Sequence, residues 1–305
     1  MSGQLQSKLE NALNEARILI LGGQVLIGAA FRLTFMEAFD KLSIQTQTVH
    51  IGSLWLMLIG LSILLVPVPY HYMVEKGANT RRFHELVTGI LQWTLLPFAL
   101  GLGVCTFLVG EKTMTAFAGA VAGAVIFSAA VCIWYVLSIV KTKAGPKPVP
   151  QEEPTQLKEK IKEALIEARM ILPGAQALLG FQVANAFTNS FEKLPKTSQW
   201  THLASLPCVA MSTIFLMAPA AYHRIAEHGE DSEEFYNLSG RMLLVAMFWL
   251  GLGIAADLWV ILQKTAHSAA IAWSISAVTL LFFYGIWFGY SAHKRREKVR
   301  ERLAS

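Results

Sequence analysis

Eight apolar runs, each near the length of about 20 residues that crosses the hydrocarbon core of a bilayer, follow one another almost without pause. They lie near 16–36, 50–72, 86–109, 114–140, 169–190, 201–222, 238–262 and 268–290. A membrane barrel would instead alternate apolar and polar residues over segments of about ten. A single small soluble core could not absorb this many continuous runs. The chain therefore reads as an all-α integral membrane protein with eight transmembrane helices. Charge agrees: 15% of the residues are charged, against about 25% in soluble domains.

The basic residues set the orientation. With an even number of spans both termini share a side, and that side collects twenty of the 26 lysines and arginines, ending in the tail HKRREKVRERLAS. The opposite side holds Lys41, Lys112, Lys193, Lys196 and Lys264. By the positive-inside rule both termini are expected in the cytoplasm. The net charge of +5 then reflects topology and affinity for anionic lipid headgroups, and no basic domain points to nucleic acid. The first fourteen residues are polar and include Glu10, so no cleaved signal peptide is expected. Cys105, Cys132 and Cys208 fall inside apolar spans without metal-ligand spacing. Neither a disulfide, a metal nor a cofactor is expected.

The chain also repeats itself. The stretch EARILILGGQVLIG, from Glu15 to Gly28, returns as EARMILPGAQALLG, from Glu167 to Gly180, 152 residues later. The same offset aligns Leu13–Leu42 with Leu165–Leu194 without a gap, at 12 identities in 30. It also pairs His50 with His202, and Pro67, Tyr70, His71, Glu75, Gly77 and Phe83 with Pro219, Tyr222, His223, Glu227, Gly229 and Phe235. Leu5, Leu9 and Leu13 match Leu157, Ile161 and Leu165 on one helical face, which predicts a short amphipathic interfacial helix ahead of each unit. The proline-rich KTKAGPKPVPQEEPT reads as a semi-rigid spacer.

The expected layout is a first four-helix repeat over 1–140, a cytoplasmic linker over 141–155, a second repeat over 156–292 and a basic cytoplasmic tail over 293–305. Because each unit has an even number of spans, the repeats are expected to be parallel, related by an axis along the membrane normal. Gly119 with Gly123, and Gly285 with Gly289, have the spacing that lets helices approach closely. They are candidates for contact between units or for oligomer formation.

The amphipathic lead-in, the E-x-R start, Gly-x-Gln, the Pro-then-Tyr-His end of the second span and the Ala256-Asp257 step in the third span of the second copy have a known parallel. Together they resemble the small bacterial four-span proteins grouped as domain of unknown function 6328. The resemblance covers essentially each half and implies a multi-pass protein of the bacterial inner membrane. Some members carry the label sodium:proton antiporter, which would make a monovalent cation or proton the partner. This chain differs in fusing two copies and in having GLGVCTFLV where the first copy would carry the Ala-Asp step.

Several residues are candidates for chemistry. Glu15, Arg17, Tyr70 and His71, with Glu167, Arg169, Tyr222 and His223, fall near the inner face. Gln24 and Gln176 lie seven residues beyond the arginines, about 10 Å deeper by helical rise. They form either a polar track leading inward, in which histidine titrates near neutral pH, or a set of headgroup anchors and interhelical bonds. Arg32 is costly if it sits at membrane depth and ordinary if it is interfacial. Gln182, Asn185 and Asn189 place amides on one helical face, lining water or tying helices together. Asp257, the carboxylate most enclosed by apolar sequence, is the candidate proton or cation site. Its alternative role is an outer-end pair with Lys264 or His267. Glu85 reads as a helix-terminus charge.

No zinc-protease, phosphate-loop or nucleophile-elbow motif is present, so an enzyme is not expected. A lipid-directed activity through His71 and His223 is the weakest reading. The leading one is a cation or proton transporter, and its rival is a non-transporting structural or partner-binding membrane protein.

Overall fold

The computed structural model describes residues 4–136, 155–225, 232–266 and 268–304. Most of the expected linker, together with Glu227, Gly229 and His267, lies outside the described residues. Every regular element among the described residues is helical. In order they are α1 (Gln4–Thr34), α2 (Glu37–Asp40), α3 (Ile44–Leu64), α4 (Pro67–Tyr70), α5 (Arg81–Thr113), α6 (Ala116–Val131), α7 (Leu157–Ala186), α8 (Asn189–Glu192), α9 (Lys196–Ile225), α10 (Glu233–Ala266), α11 (Ala269–Tyr284) and α12 (Tyr290–Ala304). Wide π turns follow α4 (His71–Glu75), α6 (Cys132–Val136) and α11 (Gly285–Gly289).

Among the described residues, eight helices are long and apolar enough to cross a membrane. Their outward faces are greasy: Ile18, Trp93, Phe117, Trp273 and Leu281 are all exposed. On α6 the buried residues are Gly119 and Gly123 alone. Apolar surface on this scale is stable against lipid and not against water. The chain is a multi-pass membrane protein.

Local sequence explains where the helices begin. Ser43, Thr80, Thr115, Thr188 and Ser268 each accept a backbone N–H of the first turn that follows, the bond that a serine or threonine cap supplies. Gln156 and Glu159 form a reciprocal capping box at the start of α7. No residue in 4–34 breaks α1. The amphipathic lead-in is therefore continuous with the first span and not a separate element, and Leu9 and Leu13 on its apolar face are buried in protein. At about 1.5 Å per residue α1 is longer than a hydrocarbon core of about 30 Å.

The second span of each half ends differently. Pro67 and Pro69 interrupt the backbone ladder after Leu64, and the chain passes through the π turn His71–Glu75. It then turns sharply at Lys76 and Gly77, with φ of 52° and 73°. Gly77 suits that left-handed turn, and a Cβ there would stand 2.6 Å from the Tyr236 hydroxyl. In the second half Ala221 replaces the second proline, and α9 continues to Ile225.

The seam between the halves is the pair α1 and α7. Equivalent positions meet along it, Glu10 with Lys162 at 2.9 Å and Arg32 Nη1 with the Ala184 carbonyl at 2.8 Å, and just beyond it Glu37 of α2 meets Asn189 of α8 at 3.2 Å. The two helices therefore run side by side in one direction. Glycine permits the approach, for Phe181 covers Gly28 and Gln24 covers Gly174. Gly119 and Gly123 pack instead on the backbone of α5 at Gly110 and Gly103, and Gly285 faces open space. The glycine pairs expected at the contact between units do not form it. Gly174→Ala would place a methyl 2.6 Å from Gln24 Cβ and is expected to cost about 1–3 kcal/mol, read as a lower thermal midpoint in detergent.

Candidate functional site

Two buried constellations lie near opposite ends of the bundle, and the long helices α7 and α10 help to build both. The first surrounds Asp257, which is 8% exposed. Gln182 Nε2 donates to its Oδ2 at 2.6 Å and Ser205 Oγ reaches its Oδ1 at 2.6 Å. His202 Nδ1 lies 2.9 Å from the same Oδ1. The other ring nitrogen, Nε2, lies 2.9 Å from the Gln182 carbonyl oxygen.

These contacts constrain the protons. A carbonyl oxygen only accepts, so His202 Nε2 carries hydrogen. If Nδ1 were then bare, its lone pair would face a carboxylate at 2.9 Å, which repels. One proton must therefore lie between Nδ1 and Asp257, as an imidazolium beside a carboxylate or as a neutral imidazole beside a carboxylic acid. Either form is neutral overall, which suits a buried position. Ser205 has one proton for two acceptors, Asp257 Oδ1 and the His202 carbonyl at 2.8 Å. The arrangement can take up a proton, release it and rearrange its bonds locally.

Residues of both halves cover this site. The Phe35 and Phe191 rings sit 6.1 and 5.1 Å from the His202 ring. Lys264 lies 5.7 Å from the Phe35 centroid, is bonded to the Thr34 carbonyl and pairs with Asp40 at 2.6 Å. Beyond it a polar recess of 480 Å³ is lined by Asp40, Ser190, Lys193, Gln263 and Lys264. Lys264 thus takes Asp40 as its carboxylate partner, and Asp257 pairs with His202.

The first half keeps the frame of this site without its carboxylate. His50 Nε2 meets the Ala30 carbonyl at 3.1 Å and Ser53 donates to the His50 carbonyl at 2.8 Å, reproducing the contacts of His202 and Ser205. Cys105 and Ala30 stand where Asp257 and Gln182 stand. His50 Nδ1 is buried without a hydrogen-bond partner.

The second constellation lies at the end of the bundle where α1 begins. The π turn carries His71 from the first half into contact with α7 of the second. Its Nδ1 is 2.6 Å from Glu167 Oε1 and its Nε2 is 3.6 Å from Glu163 Oε2. Asn79 Nδ2 donates to Glu163 Oε1 at 2.8 Å, and Phe83 stacks on the imidazole at 4.3 Å.

Of the expected polar track, the structure brings together His71 and Glu167. Glu15, Arg17, Arg169 and Gln176 are exposed on the outer surface of the helices. Gln24 is fully buried in the seam, and neither atom of its amide has a hydrogen-bond partner. Tyr70 is buried against Phe83 and Tyr290, whereas Tyr222 and His223 are half-buried against Phe235. Arg32 and the amides of Asn185 and Asn189 contribute to the seam, while Gln182 serves Asp257. Glu85 pairs with Arg81 at 2.8 Å.

Sequence reasoning missed Glu163, Asn79 and the roles of His202 and Ser205. One signal was present, since histidine and serine recur at 50 and 53 and again at 202 and 205.

The fold and these sites define a polytopic α-helical membrane protein with a buried histidine–carboxylate pair near each end. The chain belongs to the family of unknown function DUF6328, whose model matches residues 2–138 and again 151–291. It is a tandem duplication of that family unit. No curated protein and no solved structure matches the chain.

Proposed function

We propose that the protein is a transporter of protons or of a small monovalent cation exchanged for protons, with Asp257 as the ion-binding carboxylate. The observation that carries this reading is the proton held between Asp257 and His202 in a site of four interlocked polar side chains. A carboxylate at membrane depth is costly, so its retention supports a place on an ion path. Two parallel four-helix repeats about an axis along the α1–α7 seam form the scaffold, in the inner membrane of a bacterium with both termini in the cytoplasm. The starts of α1 and α7 and the basic α12 rest on anionic headgroups.

On this reading the recess beside Lys264 is the outer approach, and Phe35 with Phe191 separates it from His202. The test is purified protein in liposomes with internal pH and cation dyes. Proton flux driven by an imposed sodium or potassium gradient is expected above that of empty vesicles, and flux equal to empty vesicles sinks the proposal. Phe35→Ala removes one of the two covering rings and is expected to raise the initial rate severalfold. An unchanged rate would show that the ring does not limit access.

A scaffold without transport is the rival reading. The seam supports it, because Arg32, Asn185, Asn189 and Glu37 bond to one another or to backbone across the halves. It predicts a folded protein that moves no ion and tolerates Asp257→Asn.

A further inference from the structure

Among the described residues, the cluster at the α1 end contains more acid than base. Glu163 and Glu167 lie one turn apart on α7, 1% and 2% exposed, and the single imidazole between them, His71, is 2% exposed. Among the described residues, the other carboxylates packed around it are paired. On the π turn Glu75 is bound by Lys298 of α12, and Glu10 of α1 is bound by Lys162 of α7 at 2.9 Å. Lys160 turns its aliphatic stem toward Gly77. From α10, Tyr236 approaches within electrostatic reach of both glutamates, its hydroxyl buried without a hydrogen-bond partner. With both glutamates ionised and His71 fully protonated, one negative charge would remain uncompensated away from water, at a cost of several kcal/mol.

A second observation points to where that charge is neutralised. His71 Nε2 and Glu163 Oε2 are both buried, face each other across 3.6 Å and have no hydrogen-bond partner. An ionised Glu163 would draw an imidazolium N–H to about 2.8 Å, the length of a charge-assisted bond, as Glu167 does on the other side at 2.6 Å. A protonated Glu163 is a weaker acceptor, and with its hydroxyl hydrogen turned toward the imidazole N–H the two donors stay apart.

We propose that Glu163 is a proton-binding residue: the cluster takes up one proton on Glu163 in addition to the one between His71 and Glu167, and its occupied form is neutral. The site joins the two halves, since His71 and Asn79 come from the first and both glutamates from the second. The counterpart positions of Glu163 and Glu167 are Asn11 and Glu15, both exposed, so the duplication has built this site once. It does not depend on the role proposed for Asp257.

The test is infrared spectroscopy of the full-length protein in detergent at neutral pH. The carbonyl stretch of a protonated carboxyl group is expected in Asp257→Asn protein, where the outer site contributes none, and is expected to disappear when Glu163→Gln is added. A stretch that survives Glu163→Gln and is lost in Glu167→Gln would move the proton elsewhere and overturn the proposal, as would its absence from Asp257→Asn protein. If the double variant does not fold, the alkaline-minus-neutral difference spectrum of Asp257→Asn protein decides. Loss of a carboxylic acid band on raising the pH supports the proposal, and a flat spectrum overturns it.

Discussion

Asp257→Asn is expected to reduce ion flux in liposomes to the level of empty vesicles while leaving the fold in place. An asparagine oxygen in the place of Oδ2 still accepts from Gln182 Nε2, now 2.6 Å away. Its amide nitrogen, in the place of Oδ1, donates to His202 Nδ1, now 2.9 Å away, while Nε2 keeps its hydrogen for the Gln182 carbonyl. The variant therefore satisfies the site with a neutral imidazole and no exchangeable carboxyl proton, and unfolding in detergent should change by less than about 1.5 kcal/mol. Asp257→Ala lacks this compensation and leaves Gln182 without its carboxylate acceptor, so it should lower stability as well as flux. Comparing the two separates the ion role from the packing role. Asparagine protein that retains wild-type flux would remove Asp257 from any ion path.

The second large effect is on stability. His71→Leu removes the only imidazole that the described residues place beside Glu163 and Glu167 and leaves the Glu167 charge buried without its partner, a loss expected to cost about 3–5 kcal/mol. The same leucine in a Glu167→Gln background should cost much less, because no carboxylate is then stranded. Thermal or denaturant unfolding of the two single variants and the double variant measures the coupling directly. Additive effects would show that the 2.6 Å contact contributes little. Because His71 and Glu167 belong to different halves, a strong coupling would also mean that the duplicated units stabilise one another through this pair.

The spans were legible because a bilayer imposes length and apolarity residue by residue, and no tertiary contact is needed to see either. The duplication was legible for a similar reason, as a fixed offset needs only the order of residues. The sites were legible in part. Asp257 stood out as a carboxylate within an apolar run, but its partners His202 and Ser205 come from another helix, and nothing in a linear pattern says which helix will face it. His71 and Glu167 were both picked out, each as a member of its own copy, and their contact runs between copies.

Gln24 and Gln176 occupy matching places in matching motifs and end in opposite surroundings, one in the seam and one on the outer surface. The cause is steric. Gly174 gives Gln24 a cradle, whereas its counterpart Gly22 faces open space, and two similar helices cannot both place the same face at a seam that is not perfectly symmetric. The amino-acid order by itself determined a membrane protein of eight helices built from one unit written twice. Only the tertiary structure decided which residues of the two units meet, because close packing of large side chains on glycine selects one of several registers that the hydrophobic pattern leaves equivalent.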